Sequence, residues 1–413
     1  MSVKTATAES LVTLFNIKKG VLVTQNNDDA KEWYNKGLHS TELGKFNEAI
    51  ASYDEALKKD PNYSVALFMK SNALFSLGLF TEAIVCYDKA IDGYDKTLEA
   101  GSLALVWRNK GIAYSSMNQY DIALECSDRA LEFDPNFLDA WNDRGLFFLY
   151  LKNYDQAISC FDKAIDLDPD YAFAYRNKGL AFHELKKYSE AIKCYEKASQ
   201  IGPDFAAPRA DKGFTLYKLE RYKDAIKCSE EALKLDPNYA PALQLKGSCL
   251  QAVGKYSEGE DNLNRAISLM LQNFENLRIS EKTNLAEMLV IARRYEEGGK
   301  YAREALPETQ DAGYKCILNV IILSSNILAK ESTSSYLLAK DSINSTEKEF
   351  STFVEEYKNL DECFECKEYW DFSELIRAIN RVANLQTKFL LLSIIDLLQG
   401  NIDKHKLSFF GST

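Results

Sequence analysis

Apolar residues along the chain recur at three- and four-residue intervals, and the pattern itself recurs. "YDQAISCFDKAIDLDPD", from Tyr154, returns as "YSEAIKCYEKASQIGPD" at Tyr188 and "YKDAIKCSEEALKLDPN" at Tyr222. One copy earlier, at Tyr120, stands "YDIALECSDRALEFDPN", so successive starts are 34 residues apart. That intervals fit is the signature of amphipathic helices, and a fixed period of this length marks a stack of like units. The pattern predicts first helices near 104–117, 138–151, 172–185 and 206–219, each followed by a second helix, with negligible β structure.

The register can be followed through eight units on an aromatic anchor: Phe46, Phe80, Tyr120, Tyr154, Tyr188, Tyr222, Tyr256 and Tyr295. Alanine stands ten residues after every anchor, from Ala56 to Ala305, and three after it in six, with Gly259 and Gly298 in the last two. Nine residues before the anchor comes Gly37, Ser71, Gly111, Gly145, Gly179, Gly213, Gly247 or Ala286. Small residues at a crossing let two helices approach, and Tyr53, Tyr87 and Phe161 are placed to fill the space opposite. Gly44, Gly78 and Asn118 fit left-handed caps between the helices. Pro61, Pro135, Pro169, Pro203 and Pro237 share one position, where proline ends one helix and can open the next.

"WYNKGLHSTELGKFNEAIASYDEALKKDPN", from Trp33, resembles the tetratricopeptide repeat at its Trp, Gly, aromatic, Ala, aromatic, Ala and Pro positions. Units fall at 30–63, 64–97, 104–137, 138–171, 172–205, 206–239 and 240–273, with a degenerate eighth at 279–312. The resemblance implies an all-α, right-handed superhelical solenoid whose first helices line a concave groove. Residues 1–29 read as a helical lead-in and 313–413 as a C-terminal helical cap, which a solenoid end requires. Of the two insertions, 98–103 is expected to lengthen the second helix of the second unit, and 274–278 to set the eighth apart.

Composition narrows the function classes. The formal net charge is -11 without a long basic run, which gives no footprint for nucleic acid. The longest apolar runs, from Cys316 and Lys388, fall short of the roughly 20 residues a membrane-spanning helix needs. The first twenty residues make a poor signal peptide. Nine cysteines suggest free thiols in a reducing compartment, so the expected location is cytoplasmic.

Candidate chemistry is sparse. Cys86, Cys126, Cys160, Cys194 and Cys228 hold one position in five units, but stacked helices lie about 8–10 Å apart, too far for disulfides or shared metal. They read as packing residues. Cys363 and Cys366 form a CxxC with acidic flanks, which would raise a thiol pKa. The three histidines His39, His183 and His405 belong to no ligand motif, and no phosphate loop or nucleophile motif is present. No cofactor or metal is expected, and an enzyme would have to place its site in 313–413.

The groove remains. The resemblance places the ligand-facing residues on the first helices, here Asn35, Phe68, Asn72, Arg108, Asn109, Asn142, Asp143, Tyr150, Arg176, Asn177, His183, Asp211 and Tyr217. Asn35, Asn109 and Asn177, with Asp143 and Asp211, make a ladder similar to the asparagine ladder of the O-linked N-acetylglucosamine transferase. An asparagine amide offers a donor and an acceptor, so it can pair with a peptide group; the same residues could equally solvate a concave face or bridge adjacent helices. Asn109 and Asn177 are expected to face the groove, with little influence on the fold. The lysine and arginine clamp of chaperone-binding tetratricopeptide domains is missing from the windows starting at Tyr34 and Arg108. Lys36, Lys70, Lys110, Arg144, Lys178, Lys212 and Lys246 form a basic column, expected to pair with Asp54, Asp88, Asp128 and Asp162 of preceding units. The expected function is a non-enzymatic scaffold for a protein or peptide partner, with self-association through the solenoid ends as a further possibility. An enzyme in the C-terminal region and a self-assembling solenoid are the rival readings.

Overall fold

The computed structural model describes residues 28–93, 100–277 and 279–309, together with 318, 321 and 322. The cap expected at 313–413, the CxxC and the lead-in before residue 28 lie outside the described residues. These contain sixteen α-helices and no strand. They fall into two compact units, divided between Asp204 and Phe205.

The first unit holds α1 (Asp28–Glu42), α2 (Phe46–Lys59), α3 (Ser64–Ser76), α4 (Phe80–Gly93), α5 (Ala100–Ser116), α6 (Tyr120–Phe133), α7 (Leu138–Tyr150), α8 (Tyr154–Leu167), α9 (Ala172–Glu184) and α10 (Tyr188–Ile201). The second holds α11 (Ala206–Lys218), α12 (Tyr222–Leu235), α13 (Ala240–Ala252), α14 (Tyr256–Leu271), α15 (Ile279–Ile291) and α16 (Tyr295–Ala305). A 3-10 turn, Phe274–Asn276, separates α14 from α15. Odd- and even-numbered helices pair, and each pair packs on the next within its unit.

Two turn chemistries set the period. Inside a pair, one residue is left-handed: Gly44, Gly78, Asn118, Lys152, Lys186, Glu220, Gly254 or Arg293. The amide three residues past the first helix then returns to its last turn, as Asn153 N does to Phe148 O at 2.8 Å. Between pairs, the residue before proline is pushed into extended geometry and ends the helix; Asp168 has φ -139 and ψ 99. Its carboxylate accepts the Asp170 amide at 2.9 Å and its carbonyl the Tyr171 amide at 3.1 Å, which closes the turn.

The crossing inside each pair is as tight as the small residues imply. The alanines of both columns, from Ala49 and Ala56 onward, have no exposed surface. A Cβ on Gly179 would stand 2.6 Å from Cε1 of Tyr195, and one on Gly145 would intrude on the ring of Phe161. In the third and sixth repeats the aromatic is replaced by Ser127 and Ser229. There a side chain of the following repeat takes its place: Phe147 lies over Gly111, and Leu245 over Gly213. Gly259 stands where other repeats have alanine because the Gln251 side chain fills that space, with Cγ 2.6 Å from where a Cβ would be.

One expectation is corrected. Residues 100–103 belong to the first helix of the third repeat rather than to a longer second helix of the second. Helix α5 is described from Ala100 onward, and in α4 a Cβ on Gly93 would stand 2.7 Å from the Ser64 hydroxyl oxygen.

Candidate functional site

Within the first unit, α1, α3, α5, α7 and α9 meet in succession, and polar side chains lie on the seams between them. Arg108 joins α5 to α7: its Nε donates to Asp143 Oδ2 at 2.6 Å, and Nη1 lies 3.5 Å from Asp139 Oδ2. Tyr171, just ahead of α9, donates its hydroxyl to Asp139 Oδ1 at 2.9 Å. Asn142 hydrogen-bonds the Asp143 carboxylate, and Asn177 donates its Nδ2 to Asn142 Oδ1 at 2.9 Å. One seam earlier, Asn109 Nδ2 donates to Asn72 Oδ1 at 3.1 Å, and the same oxygen accepts the Tyr87 hydroxyl at 2.6 Å. Asn109, Asp143 and Asn177 of the ladder thus lie on seams that tie one repeat to the next.

Arg108, Asn142, Asp143, Asn177 and Asn72 are all buried, so these bonds form where water cannot replace them. Burial opposes the charge of Arg108, but Asp143 and Asp139 outweigh it, and the guanidinium ends above its ordinary value. Asp143 is held above the usual carboxylate range because its burial outweighs Arg108. Burial, with Asp139 and Asp143 beside it, pushes the Tyr171 hydroxyl well up. One guanidinium faces two carboxylates, so the cluster keeps an acidic character. Breaking such a pair from one side is costly, since the remaining charge stays buried.

The other expected site residues are placed as follows. Phe68 is buried with its ring centroid 6.2 Å from that of Tyr87. Tyr150 is 38% exposed and stacks on Tyr120 at 5.1 Å. His183 is half-buried with an edge-on contact to Tyr188 at 5.4 Å. Arg176 is half-buried on α9 and Asn35 exposed on α1. In the second unit, Asp211 is half-buried on α11, and Tyr217 on the same helix meets Tyr222 edge-on at 5.5 Å. That unit has its own amide seam, where Gln244 and Asn284 exchange two hydrogen bonds of 2.9 Å.

The sequence reading left out Asp139 and Tyr171 and gave Tyr87 only a packing role. Asp139 was open to discovery, since it stands four residues before Asp143 on the same face of α7. Tyr171 and Tyr87 reach the seams from a turn and a second helix, which periodicity does not reveal. Asn177 also differs from expectation: it is buried on a seam, so its removal strands Asn142.

The two columns resolve plainly. Lys70, Lys110 and Lys178 each lie 2.5 Å from Asp54, Asp88 and Asp162, and Arg144 lies 2.9 Å from Asp128, as expected. Each pair ties a second helix to the first helix of the next repeat; partly exposed, each contributes about 0–1 kcal/mol. The cysteines beside them are free. Burial pushes Cys126 and Cys194 up to about 11, which disfavours the reactive thiolate.

Among the described residues no helix is long and apolar enough to cross a membrane. No group of three or more His, Cys, Asp or Glu side chains is placed to hold a metal ion among them.

Tetratricopeptide repeat family models match residues 30–63, 64–136, 137–203 and 209–239. A probable UDP-N-acetylglucosamine–peptide N-acetylglucosaminyltransferase SPINDLY of Hordeum vulgare is 32% identical over 95 residues, 23% of this chain and 10% of that protein. The Hsp70-Hsp90 organising protein of Plasmodium falciparum is 28% identical over 102 residues, 24% of this chain and 18% of that protein. The chain therefore spans less than a fifth of either relative. A solved tetratricopeptide repeat protein from Parabacteroides merdae superposes with a TM-score of 0.51 at 18% identity, over 59% of this chain and 94% of that one. Matched repeat by repeat on tandem helix pairs with tight small-residue crossings, this chain is a tetratricopeptide repeat protein.

Proposed function

We propose that the chain is a non-enzymatic scaffold that holds a peptide segment or helix of another protein on the first-helix face of its first unit. The observation that carries this reading is the run of seams from Asn72 to Asn177. Beside them, one turn on, lie the half-exposed Ile112, Leu146 and Leu180. Next to these buried seams, the half-buried Asn109 and the 38% exposed Tyr150 join the aliphatic strip to offer polar groups and apolar area together, as a peptide-binding surface must. Family membership and the partial likeness to the Hsp70-Hsp90 organising protein support a protein-binding role. Asn35, Arg176 and His183 extend the same face with the buried Phe68 packed beneath it, and Asp211 and Tyr217 hold the equivalent positions on the second unit. No nucleic acid, membrane, metal or cofactor enters this reading.

The test is selection of peptides from a displayed library against the full chain, followed by calorimetry. Two side chains reach the face without being buried on a seam, Asn109 and Tyr150. Each lost hydrogen bond costs about 0.5–1.5 kcal/mol, so Asn109→Ala with Tyr150→Ala should weaken a selected peptide by about tenfold. Unchanged affinity in the double variant, with unfolding by urea also unchanged, would remove this face from consideration.

A further inference from the structure

The half-exposed strip of Ile112, Leu146 and Leu180 is flanked by unlike charges. The turns that enter α7 and α9, and the one that closes the fifth repeat, are acidic. Residues 131–137, 165–171 and 200–204 hold Glu132, Asp134, Asp166, Asp168, Asp170 and Asp204, and no lysine or arginine. Asp166, Asp170 and Asp204 are exposed. The cations that precede these turns are Arg129, paired with Glu132 at 2.7 Å, Lys163 and Lys197, all on second helices. The turns at the other end of the first helices, 117–119, 151–153 and 185–187, hold Lys152, Lys186 and Lys187 and no carboxylate. A helix the length of α7, 13 residues, sets the two flanks about 20 Å apart.

Asp139 carries the acidic flank onto the face itself. It stands in the first turn of α7, on the same side as Asp143 and, seven residues on, Leu146, about 10 Å away. Its Oδ1 accepts the Tyr171 hydroxyl at 2.9 Å. Arg108 gives its short hydrogen bond to Asp143, at 2.6 Å, and approaches Asp139 Oδ2 with Nη1 at 3.5 Å. The Asp139 side chain is 32% exposed. A carboxylate accepts about four hydrogen bonds, so Asp139 keeps acceptor capacity for a second cation. The half-buried Phe173 ring, 5.7 Å from that of Tyr171, offers apolar surface to the stem of a lysine or arginine. On α9, Arg176 and Glu184 carry opposite charges and leave this asymmetry in place.

We propose that the partner segment held on this face carries lysine or arginine on the flank toward Asp139, and apolar side chains over Ile112, Leu146 and Leu180. The inference rests on the reading of this face as peptide-binding and adds the chemistry of the partner. Charge matching of this kind fixes the orientation of a bound segment and rejects segments of the wrong sign. A second copy of this chain, with its net charge of -11, is a poor match for an acidic flank.

Peptides selected from a displayed library on the full chain should be enriched in lysine and arginine over the unselected library. By calorimetry, Asp139→Asn, which keeps an acceptor for Tyr171, should weaken a selected basic peptide about three- to fivefold, as fits a partly exposed pair. Replacing the responsible lysine or arginine of the peptide by norleucine should cost the same on the wild-type chain and nothing further on the variant. Fully additive losses would overturn the proposal, because asparagine would then act through the fold and not through the partner's charge. Asp166→Asn with Asp170→Asn leaves the buried cluster intact and should weaken the same peptide about twofold at low salt, where exposed charges are least screened. Unchanged affinity in that variant would overturn the proposal as well. Selected peptides that depend on Asn109 and Tyr150 but show no excess of lysine or arginine would leave the proposed function standing and remove this inference. No selected peptide at all would remove both. A dimer in light scattering that Asp139→Asn dissociates would put a second copy on the face and overturn the proposal.

Discussion

Arg108 Nε lies 2.6 Å from Asp143 Oδ2 and joins the first helices of the third and fourth repeats, with both side chains nearly closed to water. Removing either partner alone strands a buried charge. Asp143→Ala should destabilise the protein by about 3–5 kcal/mol, tempered where Asp139 takes over part of the pairing. Arg108→Met with Asp143→Leu should cost less than Asp143→Ala alone. Urea unfolding of the three chains checks the order; a double variant as unstable as the single would show that the pair itself, not the stranded charge, matters.

The same pair sets a pH dependence. Asp143 has a folded-state pKa above its ordinary value. Its contribution to stability is therefore fully present below the unfolded value near 3.8 and is lost as pH rises through the folded value. Wild-type stability relative to Asp143→Asn should thus grow as pH falls from 6.5 to 3.5, by thermal melts of both (pH values roughly bracketing the carboxylate range). A difference that shrinks on acidification would mean that Arg108 outweighs burial.

Gly179 faces the Tyr195 ring so closely that a methyl group there must displace it. Alanine is the better helix former by about 1 kcal/mol. Gly179→Ala should nonetheless destabilise by about 1–3 kcal/mol through overpacking. Gly111→Ala, where the nearest atom would be Cys126 Cβ at 3.1 Å, should be milder. Tyr195→Leu in the Gly179→Ala background should recover part of the loss. Denaturant midpoints decide it, and a neutral Gly179→Ala would show that the ring moves freely.

Lys186 holds φ 59 in the turn between α9 and α10. A left-handed conformation costs a side-chain-bearing residue about 1–2 kcal/mol, and glycine gives back about 0.5–1 through its freer unfolded chain. Lys186→Gly should raise stability by up to about 1 kcal/mol, while Lys186→Val should lower it. The melting temperatures of the two variants should move in opposite directions.

Much of the architecture was written in the sequence. The anchors from Phe46 to Tyr295, the alanines at fixed distance from them, and proline at one turn position fixed the helix pairs. Each of these demands a local conformation or a close approach that no other residue supplies as well. Gly44, Gly78 and Asn118 announced the left-handed turn, but Lys152, Lys186, Glu220 and Arg293 adopt it without any residue signal. The packing of the flanking helices imposes it on them. The basic column could be read because lysine or arginine recurs opposite aspartate with the same period.

Only the tertiary structure decided what the asparagine ladder does at close range. Periodicity places Asn142 and Asn177 on the first-helix face, yet whether their amides meet depends on the angle and spacing of successive helices. Those angles bring Asn177 to Asn142 and Arg108 to Asp143, and bury both seams. The same holds where Phe147 fills the gap over Gly111 that Ser127 leaves open. A local pattern specifies which side chains share a face; which of them touch is decided by how one repeat settles against the next.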